Sequence, residues 1–216
     1  MNSITENLSD KIAFKLCGSK DKSSDEFEVL RYGVFAFLHI CIAAILTILF
    51  GILTNTLFQI VTISLVAGLM KRNSGGIHCS SPNRCLVTGI ILSYIFALIG
   101  KSLININLGA LYLIDVIILI HSFIILYKKC PVPSENKPLK KEGIRKKLRK
   151  NSFCIYFVCI ILFIFNIFLN LLNIDLNLNS LVLCILLGIY MQMLSLTIIG
   201  SKSILFIDKA LIKFKI

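Results

Sequence analysis

The 216-residue chain is 56% hydrophobic and only 16% charged, with a mean hydropathy of +0.86, which is more apolar surface than a soluble fold of this length can bury. Its apolar residues lie in long uncharged runs, which excludes a disordered chain, a collagen-like repeat and a soluble enzyme with one membrane anchor. The net charge of +12 does not indicate a nucleic acid partner, because most Lys and Arg flank the apolar runs, where they set topology and contact lipid headgroups.

Residues 1–31 are predicted to form an amphipathic N-terminal segment. Six acidic residues lie among its lysines, and it has no apolar core of signal-peptide length, so we expect no cleaved targeting segment. Apolar residues recur at every fourth position beside Lys11 and Lys15, which is typical of a helix that lies on a membrane surface. These apolar residues are Ile4, Leu8, Ile12 and Leu16.

A run of 39 uncharged residues separates Arg31 from Lys71. As one helix it would reach roughly 58 Å, about twice the ~30 Å hydrocarbon core of a bilayer, so the run must fold back. Gly, Thr and Asn residues at 51–56 mark the turn and predict helices near 33–52 and 56–70. The second of these helices is short for a full span.

Four further apolar segments follow a polar loop. They lie near residues 85–100, 108–127, 152–174 and 178–200. The tail at 201–216 is amphipathic, with its lysines opposite an apolar stripe of Ile204, Ile207, Leu211 and Phe214. The predicted fold class is therefore an all-α polytopic membrane protein. We expect one membrane-embedded domain, residues 1–216, with about six transmembrane helices and amphipathic interfacial helices at both ends.

The distribution of Lys and Arg agrees with six spans. Of the 23 such residues, 22 fall in the N-terminal segment, the loops at 71–84 and 128–151, and the tail, which a six-helix path places on one side. By the positive-inside rule these segments, including both termini, are cytoplasmic. Half of the eight cysteines then face the reducing compartment, where thiols stay free. They are Cys17, Cys79, Cys85 and Cys130.

The loop at 71–85 has the composition of a reactive site. Gly75 and Gly76 permit positive φ, so the chain can turn sharply after the second helix. The Ser-Pro pair at 81–82 predicts an N-cap and a first helical residue, which places Cys85 in the first turn of the third helix. Backbone N–H groups and the helix dipole favour a thiolate at that position.

His78 precedes Cys85 by seven residues, which on one continuous helix would separate them by about 10.5 Å, too far for proton transfer. A bend in the loop would bring the imidazole to the sulfur, where His78 could serve as general base and then general acid. Two other interpretations stay open at this point. One is an ordinary loop pairing, and the other is a zinc site with Cys79 as a third ligand, although structural zinc takes four.

Asp115 and His121 are ionisable residues in the fourth apolar segment, a location that indicates function by default. Asp115 would lie about 19 Å of helix below the cytoplasmic end, which suits interhelical hydrogen bonding or a proton path. A transporter or channel that uses Asp115 is therefore the main alternative to an enzyme, and a purely structural membrane protein is a third.

The loop at 128–151 carries ten Lys or Arg residues against two Glu. These residues can set orientation and bind anionic lipid. They can also attract an acidic substrate segment. The predicted substrate contacts are Lys140, Lys141, Lys146 and Lys147.

With six predicted helices and this loop, the chain resembles the AgrB family (accessory gene regulator protein B). The resemblance covers essentially the whole chain, including the amphipathic N-terminal segment, the paired short hydrophobic spans and the stretch CPVPSENKPL that opens the basic loop. Gly75, Gly76, His78 and Cys85 match the family motif position by position. Cys79 departs from it, because it stands where the family commonly has a small residue such as Ala.

The resemblance implies a membrane cysteine endopeptidase of quorum sensing that uses no metal or other cofactor. Cys85 would be the nucleophile and His78 its base, and we assign Gly75, Gly76 and Arg84 to substrate binding. The implied partners are an AgrD-like autoinducer precursor, membrane lipid and a second copy of the chain as a homodimer. Cleavage would form an acyl-enzyme thioester, which a Cys or Ser of the precursor then attacks to close a thiolactone or lactone ring.

Overall fold

The computed structural model describes residues 4–17, 25–133, 141–174 and 178–214. These residues form eight helices, and their one β-type contact is an isolated bridge between Gly75 and Val132. The helices are α1 Ile4–Leu16, α2 Asp25–Leu53, α3 Leu57–Ser74, α4 Pro82–Leu103, α5 Leu108–Lys129, α6 Glu142–Leu171, α7 Leu178–Ser195 and α8 Ile198–Lys213. The predicted all-α fold class is confirmed.

Five of these helices are long and apolar enough to cross a bilayer, namely α2, α4, α5, α6 and α7. The sequence predicts a sixth span near 56–70. The corresponding helix, α3, falls short of that measure because Lys71 and Arg72 lie in its last turn. The described residues therefore belong to a polytopic membrane protein, whereas the six-helix path and the cytoplasmic side of the termini stay predictions.

The chain divides into two compact units, Met1–Phe50 and Gly51–Ile216. In the first unit α1 buries Ser9 and Ala13, whereas Leu8 and Leu16 of the predicted apolar stripe are 44% and 65% exposed. Phe27 is the one buried apolar side chain of α2, and the others are half-buried or exposed, as expected for a surface that faces lipid. The single domain predicted from the sequence stays a prediction.

In the second unit α7 lies at the centre, in contact with α3, α4, α5, α6 and α8. α3 and α7 approach each other closely at Gly188, where a Cβ atom would lie 2.9 Å from the Ile63 carbonyl oxygen. Small residues at such contacts let helix backbones approach closely within a membrane. This central packing fixes the end of α3, from which the loop at 71–85 departs.

The second unit has two distinct ends. At one end Asn151 donates to Asn73 Oδ1 at 3.3 Å, so the start of α6 lies beside the end of α3. At the opposite end Lys101 Nζ lies 3.4 Å from the Asn55 carbonyl oxygen. The loop at 71–85 and the basic residues at 141–151 therefore share one end, here named the loop end.

Two predicted boundaries are wrong. The helix placed at 152–174 begins at Glu142, because the preceding Lys, Arg and Leu residues are good helix formers although they lack an apolar run. The helix placed at 178–200 divides into α7 and α8. Thr197 caps α8 by accepting a hydrogen bond from Gly200 N at 3.1 Å, and a Cβ at Gly200 would collide with the Leu194 carbonyl oxygen.

Candidate active site at the loop end

The loop leaves α3 through a sharp turn at two glycines. Gly75 has a φ of 73° and Gly76 a φ of 123°, conformations that side chains disfavour. A Cβ on Gly75 would collide with the Val132 carbonyl oxygen, and one on Gly76 would lie 3.1 Å from Leu196 Cδ2. The predicted turn is confirmed. Conformation and close packing account for both glycines, and their assignment to substrate binding stays a prediction.

Two other segments hold this turn in place. Gln192 of α7 donates through Nε2 to Ser74 Oγ and to the Gly75 carbonyl oxygen, both at 3.0 Å. Val132 N donates to the Ser74 carbonyl oxygen at 2.8 Å. The turn is thus fixed by hydrogen bonds to residues far along the chain, which apolar spacing does not reveal.

The loop ends where α4 begins, and the local sequence explains that start. Ser81 is the N-cap, with its hydroxyl accepting from Arg84 N at 3.3 Å, and Pro82 follows as the first helical residue. Cys85 N donates to the Ser81 carbonyl oxygen at 3.0 Å and so closes the first turn. The predicted position of Cys85 is confirmed, at the helix end that favours negative charge.

Three groups surround the half-buried Cys85 thiol. The His78 side chain lies within hydrogen-bonding reach of it, so the loop makes the bend that the sequence requires. Lys71 Nζ reaches it from the last turn of α3 at 3.8 Å, and the backbone of Cys79 also contacts it. Sequence reasoning counted Lys71 only as a topology signal. Its position one helical turn before Gly75 was the available clue.

The second thiol of the loop has a different environment. Cys79 Sγ lies 3.5 Å from Thr88 Oγ1, which points it toward α4. Burial raises the pKa of Cys79, and the nearby Cys85 and Asp208 raise it further. Cys79 therefore stays a protonated thiol over a wider pH range than an ordinary cysteine and is the poorer nucleophile of the pair.

Arg84 forms an ion pair that the sequence did not predict. Its Nε lies 3.0 Å from Asp208 Oδ1 of α8, with the side chains 20% and 6% exposed. The hydrogen bond from Ser80, together with Arg84, holds the pKa of Asp208 below its ordinary range. The guanidinium of Arg84 is thus engaged within the protein, and its assignment to substrate binding stays a prediction.

The predicted contacts of the basic loop are only partly described. Lys141, Lys146 and Lys147 are exposed near the start of α6, and Lys146 pairs with Glu142 at 2.8 Å. Lys140 lies outside the described residues. Exposed ammonium groups at the loop end are free of burial costs and suit an acidic partner.

Among the described residues the structure gives no zinc site, whereas it does bury Asp115. Within the part of the chain that the structure describes, no group of three His, Cys, Asp or Glu residues is arranged to hold a metal ion. Asp115 is 1% exposed, and its Oδ1 has no hydrogen-bond partner among the described residues. His121 Nδ1 lies 3.1 Å from the Tyr190 hydroxyl, a contact between α5 and α7.

Comparison with known proteins identifies the family of the chain. Residues 3–196 match the family model of Accessory gene regulator B. "Putative AgrB-like protein" of Clostridium perfringens strain SM101 is 30% identical over 92% of this chain and 94% of its own length. "Putative AgrB-like protein 2" of Clostridium perfringens strain 13 is 28% identical over the same shares. No solved structure matches. The chain belongs to the AgrB family, and its role is in the accessory gene regulator system.

Proposed function

We propose that the chain is a membrane cysteine endopeptidase that removes the C-terminal part of an AgrD-like autoinducer precursor and lets the remaining peptide cyclise. The main support is the convergence of His78 and Lys71 on the Cys85 thiol at the start of α4. A general base, a cation and a helix N-terminus all favour the thiolate that such a reaction needs.

In the first step His78 takes the proton of the Cys85 thiol, and the resulting thiolate attacks the scissile carbonyl carbon, forming a C–S bond. The developing oxyanion needs a donor in the first turn of α4. Pro82 has no N–H, and the amides of Arg84 and Cys85 bond to Ser81, which leaves Asn83 N–H as the donor. The C–N bond then breaks, His78 gives its proton to the leaving amine, and an acyl-enzyme thioester remains.

In the second step a thiol or hydroxyl of the precursor replaces water. His78 takes its proton, the new sulfur or oxygen attacks the thioester carbonyl, and Cys85 leaves as thiolate. With a precursor cysteine one thioester replaces another, so the exchange is nearly isoenergetic and needs no cofactor. A site at membrane level limits competing hydrolysis.

The exposed lysines Lys141, Lys146 and Lys147, together with Lys140, would attract the acidic C-terminal part of the precursor. Such attraction acts over about 8 Å at physiological salt. Because it binds ground and transition states equally, replacing the four lysines by Gln should raise KM and leave kcat nearly unchanged.

The deciding experiment is cleavage of a synthetic precursor by the full-length protein in liposomes. Cys85→Ala and His78→Ala should each abolish cleavage, while the matched variant Cys79→Ala should keep most of it. Mass spectrometry of a precursor that lacks its cyclising Cys or Ser should find the N-terminal fragment bound to Cys85 as a thioester. Loss of cleavage in Cys79→Ala with activity retained in Cys85→Ala would overturn the assignment.

A second candidate function is ion or proton transport, which the unpartnered Oδ1 of buried Asp115 favours. Flux across liposomes that is lost in Asp115→Asn and indifferent to Cys85→Ala would support it. The same preparations test both functions.

A further inference from the structure

We infer that Asp208 is a positioning residue that holds the loop between His78 and Cys85 in its reactive conformation. This inference rests on the proposed function and extends it to α8. The match to the family model ends at residue 196, so Asp208 lies outside it.

Asp208 occupies the inner face of α8, whose outer surface carries three lysines among exposed apolar side chains. It is 4% exposed and lies between Ile204 and Leu211, which are also buried. The sequence predicted an apolar stripe here, but Phe214 of that stripe is 75% exposed and Asp208 takes an inner position. A buried carboxylate is costly unless its oxygens are paired.

Among the described residues, the hydrogen-bond donors to this carboxylate come from the loop at 71–85. Oδ2 accepts from Ser80 N at 3.1 Å and from Ser80 Oγ at 2.6 Å. Oδ1 accepts from Arg84 Nε at 3.0 Å. Arg84 in turn donates from Nη2 to Ser80 Oγ at 3.0 Å, which closes the cluster. Ser80, Arg84 and Asp208 thus form one hydrogen-bonded group, the Asp208 cluster.

The two loop residues of the cluster bracket the bend. Ser80 follows His78 by two positions, and Arg84 directly precedes Cys85. Holding both residues on one carboxylate limits the distance between the segments that carry the imidazole and the sulfur. Such control is important for catalysis, because a displacement of about 1 Å can cost about 100-fold in rate.

The same carboxylate separates the two thiols of the loop by charge. Cys79 lies close enough to Asp208 for its thiolate to be disfavoured, in addition to the effect of burial. Cys85 instead has Lys71 and His78 beside it. Asp208 therefore helps to keep Cys79 from competing with Cys85 for the substrate.

The test compares Asp208→Asn and Asp208→Glu with the wild type, using the full-length protein in liposomes and a synthetic precursor. Asn keeps the shape but loses the charge, so kcat should fall by about 30- to 100-fold, with KM changed by less than about threefold. Glu keeps the charge and should recover part of kcat. Lys209→Gln, a charge change at the adjacent exposed position, should leave both constants unchanged.

A double variant tests whether Asp208 acts through the loop. Ser80→Ala removes the hydroxyl that joins Asp208 to Arg84, so Ser80→Ala and Asp208→Asn combined should be little worse than Asp208→Asn alone. Fully additive losses, or an unchanged kcat in Asp208→Asn, would overturn the inference. A lower thermal midpoint with unchanged kcat well below that midpoint would show that Asp208 only anchors α8.

Alkylation by iodoacetamide at one neutral pH, read by mass spectrometry at each cysteine, separates this inference from the proposed function. In Asp208→Asn the ratio of Cys79 to Cys85 labelling should rise several-fold over wild type. If the wild type cleaves no precursor, the proposed function fails, and this ratio still decides whether Asp208 controls the two thiols. An unchanged ratio counts against the inference in either case.

Discussion

The two buried carboxylates of the second unit, Asp208 and Asp115, have opposite surroundings. Asp208 lies at the loop end, where Ser80 and Arg84 donate three hydrogen bonds to its oxygens. Asp115 lies within α5, and neither its Oδ1 nor Ser122 Oγ of the same helix has a hydrogen-bond partner among the described residues. Both are nearly inaccessible, at 4% and 1% exposure.

The difference lies in which groups replace the water that each carboxyl group loses on burial. A buried carboxylate is tolerated when hydrogen-bond donors replace that water. At Asp208 the donors belong to the loop at 71–85, so burial of the carboxylate depends on the conformation of that loop. At Asp115 Oδ1 no described donor provides that compensation.

Reversing the partner of Asp208 should have the largest effect. Arg84→Glu leaves two carboxylates facing each other, and losing one partner of a buried ion pair costs about 3–5 kcal/mol. We expect the thermal midpoint, followed by circular dichroism in detergent, to fall by about 10 °C, with loss of cleavage. Adding Asp208→Lys should restore part of the midpoint. A midpoint that stays at the wild-type value in Arg84→Glu would show that the pair contributes nothing.

Acid pH should remove the contribution of Asp208. Ser80 and Arg84 hold the pKa of this carboxyl below its ordinary value of 3.8, so the unfolded state binds the proton more tightly. The contribution is therefore complete above about pH 5 and is lost as the pH falls through the folded pKa. The difference in thermal midpoint between wild type and Asp208→Asn should be constant from about pH 5 to 8 and shrink below about pH 4. A difference that grows toward acid pH would contradict this.

The same substitution at Asp115 should have a smaller effect of opposite sign. Asp115→Asn replaces a buried carboxyl group whose Oδ1 is unpartnered by an amide that cannot ionise, so we expect a gain of about 1 kcal/mol, seen as a midpoint raised by about 2–4 °C. Precursor cleavage should be unchanged. Loss of cleavage in this variant, with the protein still folded, would show that Asp115 takes part in the reaction.

Two serines should show the smallest effects. Ser80 Oγ contacts both Asp208 and Arg84, so Ser80→Ala should cost about 1–2 kcal/mol. Ser122 is fully buried with an unpartnered hydroxyl, so Ser122→Ala should be neutral or stabilising by about 0.5 kcal/mol. Thermal midpoints measured side by side check the order. Equal losses of stability in the two variants would mean that the Ser122 hydroxyl has a hydrogen-bond partner.

Much of the conformation of the loop at 71–85 could be predicted, because its sequence signals are local. The Ser81 cap and the glycine turn depend on residues adjacent in the chain, and both are confirmed. The approach of His78 to Cys85 was one of three interpretations of the sequence, because these local signals permit the bend without fixing where the imidazole lies. Lys71 was missed, because its position at the sulfur depends on how α3 ends relative to α4.

The number of spans and the helix boundaries were harder to predict. Hydropathy identifies apolar runs, but it does not detect that a basic segment continues as helix, as α6 does from Glu142. Nor did it separate α7 from α8, which Thr197 and Gly200 divide through a cap and a close backbone contact.

By itself the sequence determined the membrane class, the family and the start of α4 at Ser81, because composition, motif spacing and capping are properties of neighbouring residues. Only the tertiary structure decided what surrounds His78 and Cys85. Asp208 reaches Ser80 across 128 positions and Gln192 reaches Ser74 across 118, and no periodicity encodes such contacts. They arise because α7 packs against α3 and α8 returns to the loop end, where burial of a carboxylate requires the donors that the loop supplies.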